Sequence, residues 1–114
     1  MSVVEKLVRS AAADTDVLRT LDGHGDDFSV SRNVEFQFRS SSKERADVVA
    51  GFINDNNFGI ASTKDYGDHF GVTVTVHMQI FQSLTLSISG FMECVGQLFG
   101  IEYDGWGCKP QVRK

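Results

Sequence analysis

Cysteine and proline are scarce in this chain of 114 residues, which contains two cysteines and one proline. Cys94 and Cys108 lack the CxxC spacing of redox motifs and are too few for a structural zinc site, so we expect two free thiols. A chain of this length can bury roughly two thirds of the surface that its unfolded state exposes. We therefore expect residues 1–114 to fold as a single domain without cross-links.

Long apolar runs are also missing from the sequence. A membrane-spanning helix needs about 20 predominantly apolar residues, and no segment approaches that length. The first residues, MSVVEKLVRSAAADTD, place Glu5 and Asp14 inside what would be the apolar core of a signal peptide. These features predict a cytoplasmic protein with no targeting segment and no membrane partner.

The chain has no excess of basic residues, since 11 Lys and Arg face 15 Asp and Glu and the formal net charge is -4. Non-specific nucleic-acid binding needs clustered cations. RNA-binding sheets also stack bases on exposed aromatic side chains, whereas Phe36 and Phe38 share the phase of Val34 and are expected in the core. We expect no direct nucleic-acid binding, and a protein is the expected partner.

Two segments show the alternation that is typical of strands. In SRNVEFQFRS, Val34, Phe36 and Phe38 alternate with polar residues. From Phe70 to Ile80, apolar residues alternate with His, Gly, Thr and Gln over a longer stretch. Both patterns predict a strand with one buried face and one polar face. The segment FGIASTKDY pairs with the second strand through a turn expected at Gly67 and Asp68.

Three other segments have apolar residues at helical spacing. The first segment ends at Gly23 and contains Val4, Leu7, Val8, Val17, Leu18 and Leu21. It predicts one or two helical pieces, the second capped by Asp14 or Thr15. A second helix is expected to begin after Ser41 or Ser42, with Ala46, Val49, Phe52 and Ile53 on its buried side. The third, over residues 83–98, has a stripe that we assign to the core: Leu84, Ile88, Phe91, Val95 and Leu98.

The order of these elements predicts the fold. After the first helix the chain reads strand, helix, strand, strand, helix and a short final strand near IEYDGWG, which is a split βαββαβ unit. Right-handed crossovers place both helices on one face of a four-stranded antiparallel sheet. We therefore predict an α+β domain of the ferredoxin-like sandwich type, preceded by an N-terminal helix.

Three candidate groups do not meet the requirements of a metal-binding or catalytic site. His69 and His77 lie on one strand but roughly 26 Å apart, too far to share an ion. The segment DGHGDD lacks the register of a calcium loop and is expected to be a solvated loop. Glu102 and Asp104 have no pocket that would divide acid and base roles between them. We expect no enzyme activity, no catalytic residue, no metal and no cofactor.

The segment GIEYDGWG, residues 100–107, holds the only tryptophan between two glycines. With Phe99 in front, it resembles the terminal signature of the bacterial regulator of ribonuclease activity B family, whose members inhibit ribonuclease E. DTDVLRTLDGHGDD, SRNVEFQF, ADVVAGFINDNNFGI and GVTVTVHMQI are similar to that family in order and character. The best-known members carry an acidic extension after this motif, where this sequence reads CKPQVRK.

The resemblance implies a ferredoxin-like, non-catalytic domain that binds the endoribonuclease rather than its RNA. An alternative is a module of the same family with another protein target. In either case we expect a monomer or a weak homodimer. Tryptophan, tyrosine and flanking charges are common in interface centres, so we predict a partner-binding surface formed by Glu102, Tyr103, Asp104 and Trp106. Gly105 and Gly107 are expected to form a structural turn. The simpler interpretation is that Trp106 only seals the core.

Overall fold

The computed structural model describes residues 2–113, which form three helices and four strands. In chain order the elements are α1 (Val3–Gly23), β1 (Arg32–Ser40), α2 (Lys43–Asp55), β2 (Ile60–Asp65), β3 (Phe70–Met78), α3 (Gln82–Phe99) and β4 (Glu102–Cys108). The strands form one sheet in the order β2-β3-β1-β4, and every neighbouring pair is antiparallel. The predicted α+β fold with a leading helix is confirmed.

Alternation places the core on the helix side of the sheet. Val34, Phe36 and Phe38 of β1 are at most 2% exposed, as are Val72 and Val74 of β3. The intervening polar residues of both strands point to the opposite, open face. At the hairpin between β2 and β3, the Tyr66 amide donates to the His69 carbonyl, and Gly67 has a φ of 92°. The turn lies where the sequence predicts it.

The first helix is continuous, so the cap expected at Asp14 or Thr15 for a second piece is wrong. Thr15 instead donates its hydroxyl to the Ala11 carbonyl one turn earlier. Leu18 and Leu21 are buried, whereas Val4 and Val8 are mostly exposed. The helix α1 packs mainly against α3 and touches β4. On α2 the predicted cap is confirmed, because the Ser42 hydroxyl accepts from the Arg45 amide.

The apolar stripe assigned to the core on α3 mostly does not face the sheet. Of its five residues only Val95 is buried, and Leu98 is 81% exposed. The face that packs on the sheet is smaller and more polar: Thr85, Ser89, Met92, Val95 and Gly96. Close packing is the reason, since a Cβ atom at Gly96 would lie only 2.9 Å from the Ile101 carbonyl oxygen.

Phe91 of the stripe instead contacts Phe58, in the segment between α2 and β2, with 4.9 Å between ring centroids. The ring of Phe52 lies between those of Phe58 and Phe99, with centroid distances of 5.5 and 5.2 Å.

None of the helices within residues 2–113 is both long enough and apolar enough to cross a bilayer.

Candidate functional site

A bulge in β4 decides which way the side chains of the DGWG motif point. Tyr103 is opposite Phe38 and Gly105 is opposite Gln37, so Asp104 is the extra residue. Period-two alternation from Tyr103 would turn Trp106 to the open face, but the extra residue reverses the phase. Trp106 is therefore opposite Phe36 and faces the helices.

The indole of Trp106 is held by α1. Its Nε1–H donates to Asp14 Oδ1 over 3.0 Å, and the Ser10 hydroxyl donates to Asp14 Oδ2 over 3.5 Å. Asp14 is only 4% exposed. Burial raises the pKa of its carboxyl group, and the hydrogen bonds from Ser89, Trp106 and Ser10 lower the pKa in part. Trp106 thus joins β4 to a buried acid on the helix side.

Tyr103 is also part of the packed interior. Its ring lies 5.3 Å from that of Phe38, and its hydroxyl is hydrogen-bonded to the Ser89 hydroxyl at 2.8 Å. Burial raises the pKa of this phenol strongly, and the negative charges of Asp14 and Glu93 act in the same direction. The phenol is therefore neutral over the physiological range.

Of the four predicted contact residues, Glu102 and Asp104 are exposed. Burial raises the pKa of the Asp104 carboxyl group, and the neighbouring charge of Glu102 adds to this. Burial also raises the pKa of Glu93 on α3, and the positive charge of Lys6 opposes that rise. Among residues 2–113, none of these three carboxylates forms an ion pair within 4.0 Å. They are available to a cation from another molecule.

The two glycines do not form the predicted turn, because β4 runs through both of them. Gly105 has a φ of 98°, which the bulge requires. Gly107 lies opposite Glu35 with a φ outside the left-handed region, and nothing lies within 4 Å of a Cβ atom built there. The fold therefore needs glycine at position 105 but not at position 107.

Two grooves flank β4 and meet at Asp104 and Gly105. The helix-side groove, about 690 Å³, lies between α1, α3 and β4 and includes Lys6, Arg9, Asp14, Glu93, Glu102 and Tyr103. The sheet-side groove, about 470 Å³, lies on the open face and includes Glu35, Gln37, Tyr66, His69, Gly71 and Gly107. The strand predicted as the site is thus the ridge between two acidic depressions.

The open face differs from the expectation at one position. Tyr66 is 52% exposed, and its ring covers Gly71, where a Cβ atom would lie 2.6 Å from Tyr66 Cε2. The ring stacks on His69 at 4.8 Å, and Lys64 Nζ lies 5.1 Å from its centroid. An exposed aromatic is therefore present on a face that was expected to have none.

The DGHGDD segment is not simply a solvated loop. Asp26 is fully buried, and its carboxylate makes a two-pronged ion pair with Arg32, at 2.7 Å to Nη1 and 2.8 Å to Nη2. Arg32 lowers the pKa of this carboxyl group. The Gln111 amide also donates to Asp26, and the Arg113 amide donates to the Gly25 carbonyl. The pair joins this loop to residues 109–113.

The two histidines have separate partners. His69 Nδ1 lies 2.6 Å from an oxygen of Asp68, and His77 Nδ1 lies 3.0 Å from the Asn33 amide oxygen. Residues 2–113 contain no group of three or more His, Cys, Asp or Glu side chains that could hold a metal ion.

Sequence reasoning missed Asp14, Ser89 and Glu93 as neighbours of the motif. Asp14 had a usable signal, because it precedes Leu18 by four residues and Leu21 by seven and so shares their buried side of α1. Ser89 and Glu93 had none, since a polar residue on a helix gives no indication of which strand it meets.

The site combines a strand edge, several carboxylates and two grooves, and this arrangement suits binding of a positively charged segment.

No curated protein matches the chain. The family model described as regulator of ribonuclease activity B matches residues 11–108, from the middle of α1 to the end of β4. The chain therefore belongs to the regulator of ribonuclease activity B family.

Proposed function

We propose that the protein regulates RNA turnover in the cytoplasm by binding an endoribonuclease of the ribonuclease E type and inhibiting it without catalysis of its own. Membership of a family of ribonuclease regulators supports the class of target. The observation that carries the proposal is that two side chains of residues 102–106 are used in packing and two are exposed. Tyr103 and Trp106 hold β4 to the helices, whereas Glu102 and Asp104 are exposed and form no ion pair within residues 2–113.

The proposed contact surface is therefore narrower than the four residues expected from the sequence. Glu102 and Asp104 contact the partner directly, and Tyr103 and Trp106 act by holding the strand in place. Glu93 extends the acidic surface across the helix-side groove. Such a surface repels the phosphates of RNA, so the ribonuclease protein is the better partner than its substrate.

A specific observation favours a second candidate surface. The stripe on α3 leaves Leu84 40%, Phe91 37% and Leu98 81% exposed. Leu98 lines one depression together with Val48 of α2, which is 49% exposed. Exposed apolar patches of this kind often mark protein interfaces. A module of the same family with a different protein target would use this surface rather than the acidic one.

The test is inhibition of purified ribonuclease E by the wild-type protein and by two double variants with the same change of charge. Glu102→Gln with Asp104→Asn removes the acidic surface, whereas Glu44→Gln with Asp55→Asn removes two carboxylates from α2. We expect the first variant to lose about ten-fold or more in affinity and the second to match the wild type. Absence of any complex with the ribonuclease, or equal loss in both variants, would overturn the proposal.

Direct RNA binding is measured separately with the same preparations. We expect no binding of single-stranded RNA at low salt. Affinity that falls steeply as salt rises would show phosphate contacts and contradict the protein-binding mechanism.

A further inference from the structure

The two edge strands of the sheet, β2 and β4, differ in how far their outward backbone groups are hydrogen-bonded. At the β2 edge, the Asn54 amide donates to the Ala61 carbonyl over 3.0 Å, and the Ala61 amide donates to Asn54 Oδ1 over 2.8 Å. One side chain thus occupies both outward backbone groups of that residue. Sheet edges need such protection because their unpaired groups attract other strands.

The β4 edge has no such cover. Within the described part of the chain, the backbone of Glu102–Cys108 forms no backbone hydrogen bonds other than those with β1. No side-chain hydrogen bond reaches this backbone either. The outward N–H and C=O groups of β4 are therefore free to pair with another chain.

Both faces of β4 leave room for the side chains of an extended peptide. Successive side chains of a strand point to opposite faces, so those on one face of an added strand would enter the helix-side groove. Those on the other face would cross β4 at Gly105 and Gly107, which carry no side chain, and reach the sheet-side groove over β1. The regular part of β4, residues 105–108, pairs with residues 34–37 without interruption. Gly105 and Gly107 leave open space beside it, with no atom within 4 Å of either Cβ position.

The carboxylates around β4 favour a positively charged segment as the added strand. Glu93 and Glu102 line the helix-side groove with Lys6 and Arg9, Glu35 lines the sheet-side groove with His69, and Asp104 borders both. Lys6 is already hydrogen-bonded to Gln97 at 2.8 Å. A second copy pairing in parallel register along β4 would bring Glu102 and Asp104 of both chains together, and like charges on neighbouring strands are unfavourable.

We propose that the free edge of β4 accepts an extended, positively charged segment of the protein partner as a fifth strand of the sheet. The added strand pairs with residues 105–108 and places its cationic side chains against Glu35, Glu93, Glu102 and Asp104. This inference rests on the proposed function, because it describes how the same surface binds its partner. Strand addition of this kind takes affinity from main-chain hydrogen bonds and specificity from the side-chain grooves.

The first experiment uses a decapeptide of alternating arginine and threonine, whose arginines all point to one face of the added strand and so test the carboxylates of one groove. The peptide is prepared in three forms: unmodified, N-methylated at odd positions and N-methylated at even positions. The charge is the same in all three, but N-methylation removes the backbone donors along one edge. We expect one methylated form to lose at least about ten-fold in affinity and the other to bind like the unmodified peptide. Equal affinity of all three forms would mean that only charge is recognised, and would overturn strand addition.

The second experiment measures hydrogen exchange of the full chain, alone and with ribonuclease E. Slower exchange at amides of residues 105–108 is the expected result, because the outward amides gain a partner. If the ribonuclease binds but protection appears on Leu84–Leu98 or between two copies of this chain, strand addition is wrong while the proposed function stands. If the peptide binds at β4 with the N-methyl pattern while the ribonuclease does not bind, the edge is confirmed as a strand acceptor and the proposed target is wrong.

Discussion

Trp106 donates its indole N–H to the buried carboxylate of Asp14, although the two residues lie 92 positions apart in the sequence. The contact joins the last strand to the first helix. It also explains why the only tryptophan lies between two glycines: the bulge at Asp104 and Gly105 turns the ring inward, and Gly107 continues the strand beside a groove. The aromatic part of the motif is structural and its acidic part is exposed.

Replacing Trp106 separates its hydrogen bond from its packing. We expect Trp106→Phe to lower the free energy of unfolding by about 1–3 kcal/mol, because Asp14 loses a donor in a buried position. Trp106→Ala should cost more, since it also removes the apolar surface of the ring. Urea denaturation measures both. A loss below about 0.5 kcal/mol for Trp106→Ala would show that the ring does not stabilise the fold.

The raised pKa of the Asp14 carboxyl group predicts how stability changes with pH. Its pKa is raised above 3.8 in the folded protein, so the folded state binds the proton more tightly than the unfolded state does. Stability from this group therefore falls as the pH rises from 3.8 through the raised pKa. We therefore expect the free energy of unfolding of Asp14→Asn, measured relative to that of the wild type, to rise over that pH range.

Thermal unfolding at a series of pH values, followed by Trp106 fluorescence, tests this expectation. Asp16→Asn, which removes an exposed carboxylate from the same helix, is the matched control. A difference between Asp14→Asn and the wild type that stays constant with pH, or changes in the opposite direction, would refute the assignment.

The buried pair of Asp26 and Arg32 should be among the most sensitive contacts in the molecule. Arg32→Met leaves Asp26 charged and buried without its partner, and we expect a loss of about 3–5 kcal/mol in unfolding free energy. Lys43→Gln breaks the exposed pair with Asp47 and should leave stability within error of the wild type. Denaturant titration compares the two variants, and equal small effects would contradict the burial of the Asp26 pair.

The same pair gives a pH dependence of opposite sign to that of Asp14. Because Arg32 lowers the pKa of Asp26 below 3.8, its stabilising effect is present above that pH and is lost as the pH falls through the folded pKa. The deficit of Asp26→Asn relative to the wild type should therefore shrink in acid. A deficit that grows in acid would be inconsistent with the ion pair.

The two glycines of DGWG should respond differently to alanine. Gly105→Ala places a side chain at a φ of 98°, and we expect a loss of at least about 1–2 kcal/mol. Gly107→Ala meets no atom and needs no unusual φ, so stability should be unchanged or rise by up to about 1 kcal/mol. Melting temperatures of both variants test the bulge, and equal losses would place the strain elsewhere.

Two glycines of α3 form a second matched pair. A Cβ atom at Gly96 would lie 2.9 Å from the Ile101 carbonyl oxygen, whereas at Gly90 it would lie 3.7 Å from Leu7 Cδ2. We expect Gly96→Ala to cost about 1–3 kcal/mol through overpacking. Gly90→Ala should gain up to about 1 kcal/mol from helix propensity. Urea denaturation of both would detect the difference, and a stabilised Gly96→Ala would mean that α3 lies farther from β4.

The sequence by itself determined the order of elements, the buried faces of β1 and β3, and the family. Alternation such as Val34, Phe36 and Phe38 is a local property, because successive side chains of a strand must point to opposite faces. Caps and turns at Ser42 and Gly67 are local in the same sense. These expectations needed no knowledge of which elements would become neighbours.

Only the tertiary structure decided which side chains of the final strand remain at the surface. One extra residue, Asp104, reverses the phase of alternation and turns Trp106 from the open face to the helices. Likewise, the stripe on α3 lies beside the core because Gly96 and Ser89 allow closer packing than Leu84 or Leu98 would. A bulge depends on the register between two strands, and a helix face depends on what packs against it. Neither is specified by residues close together in sequence, so both emerge only when distant segments meet.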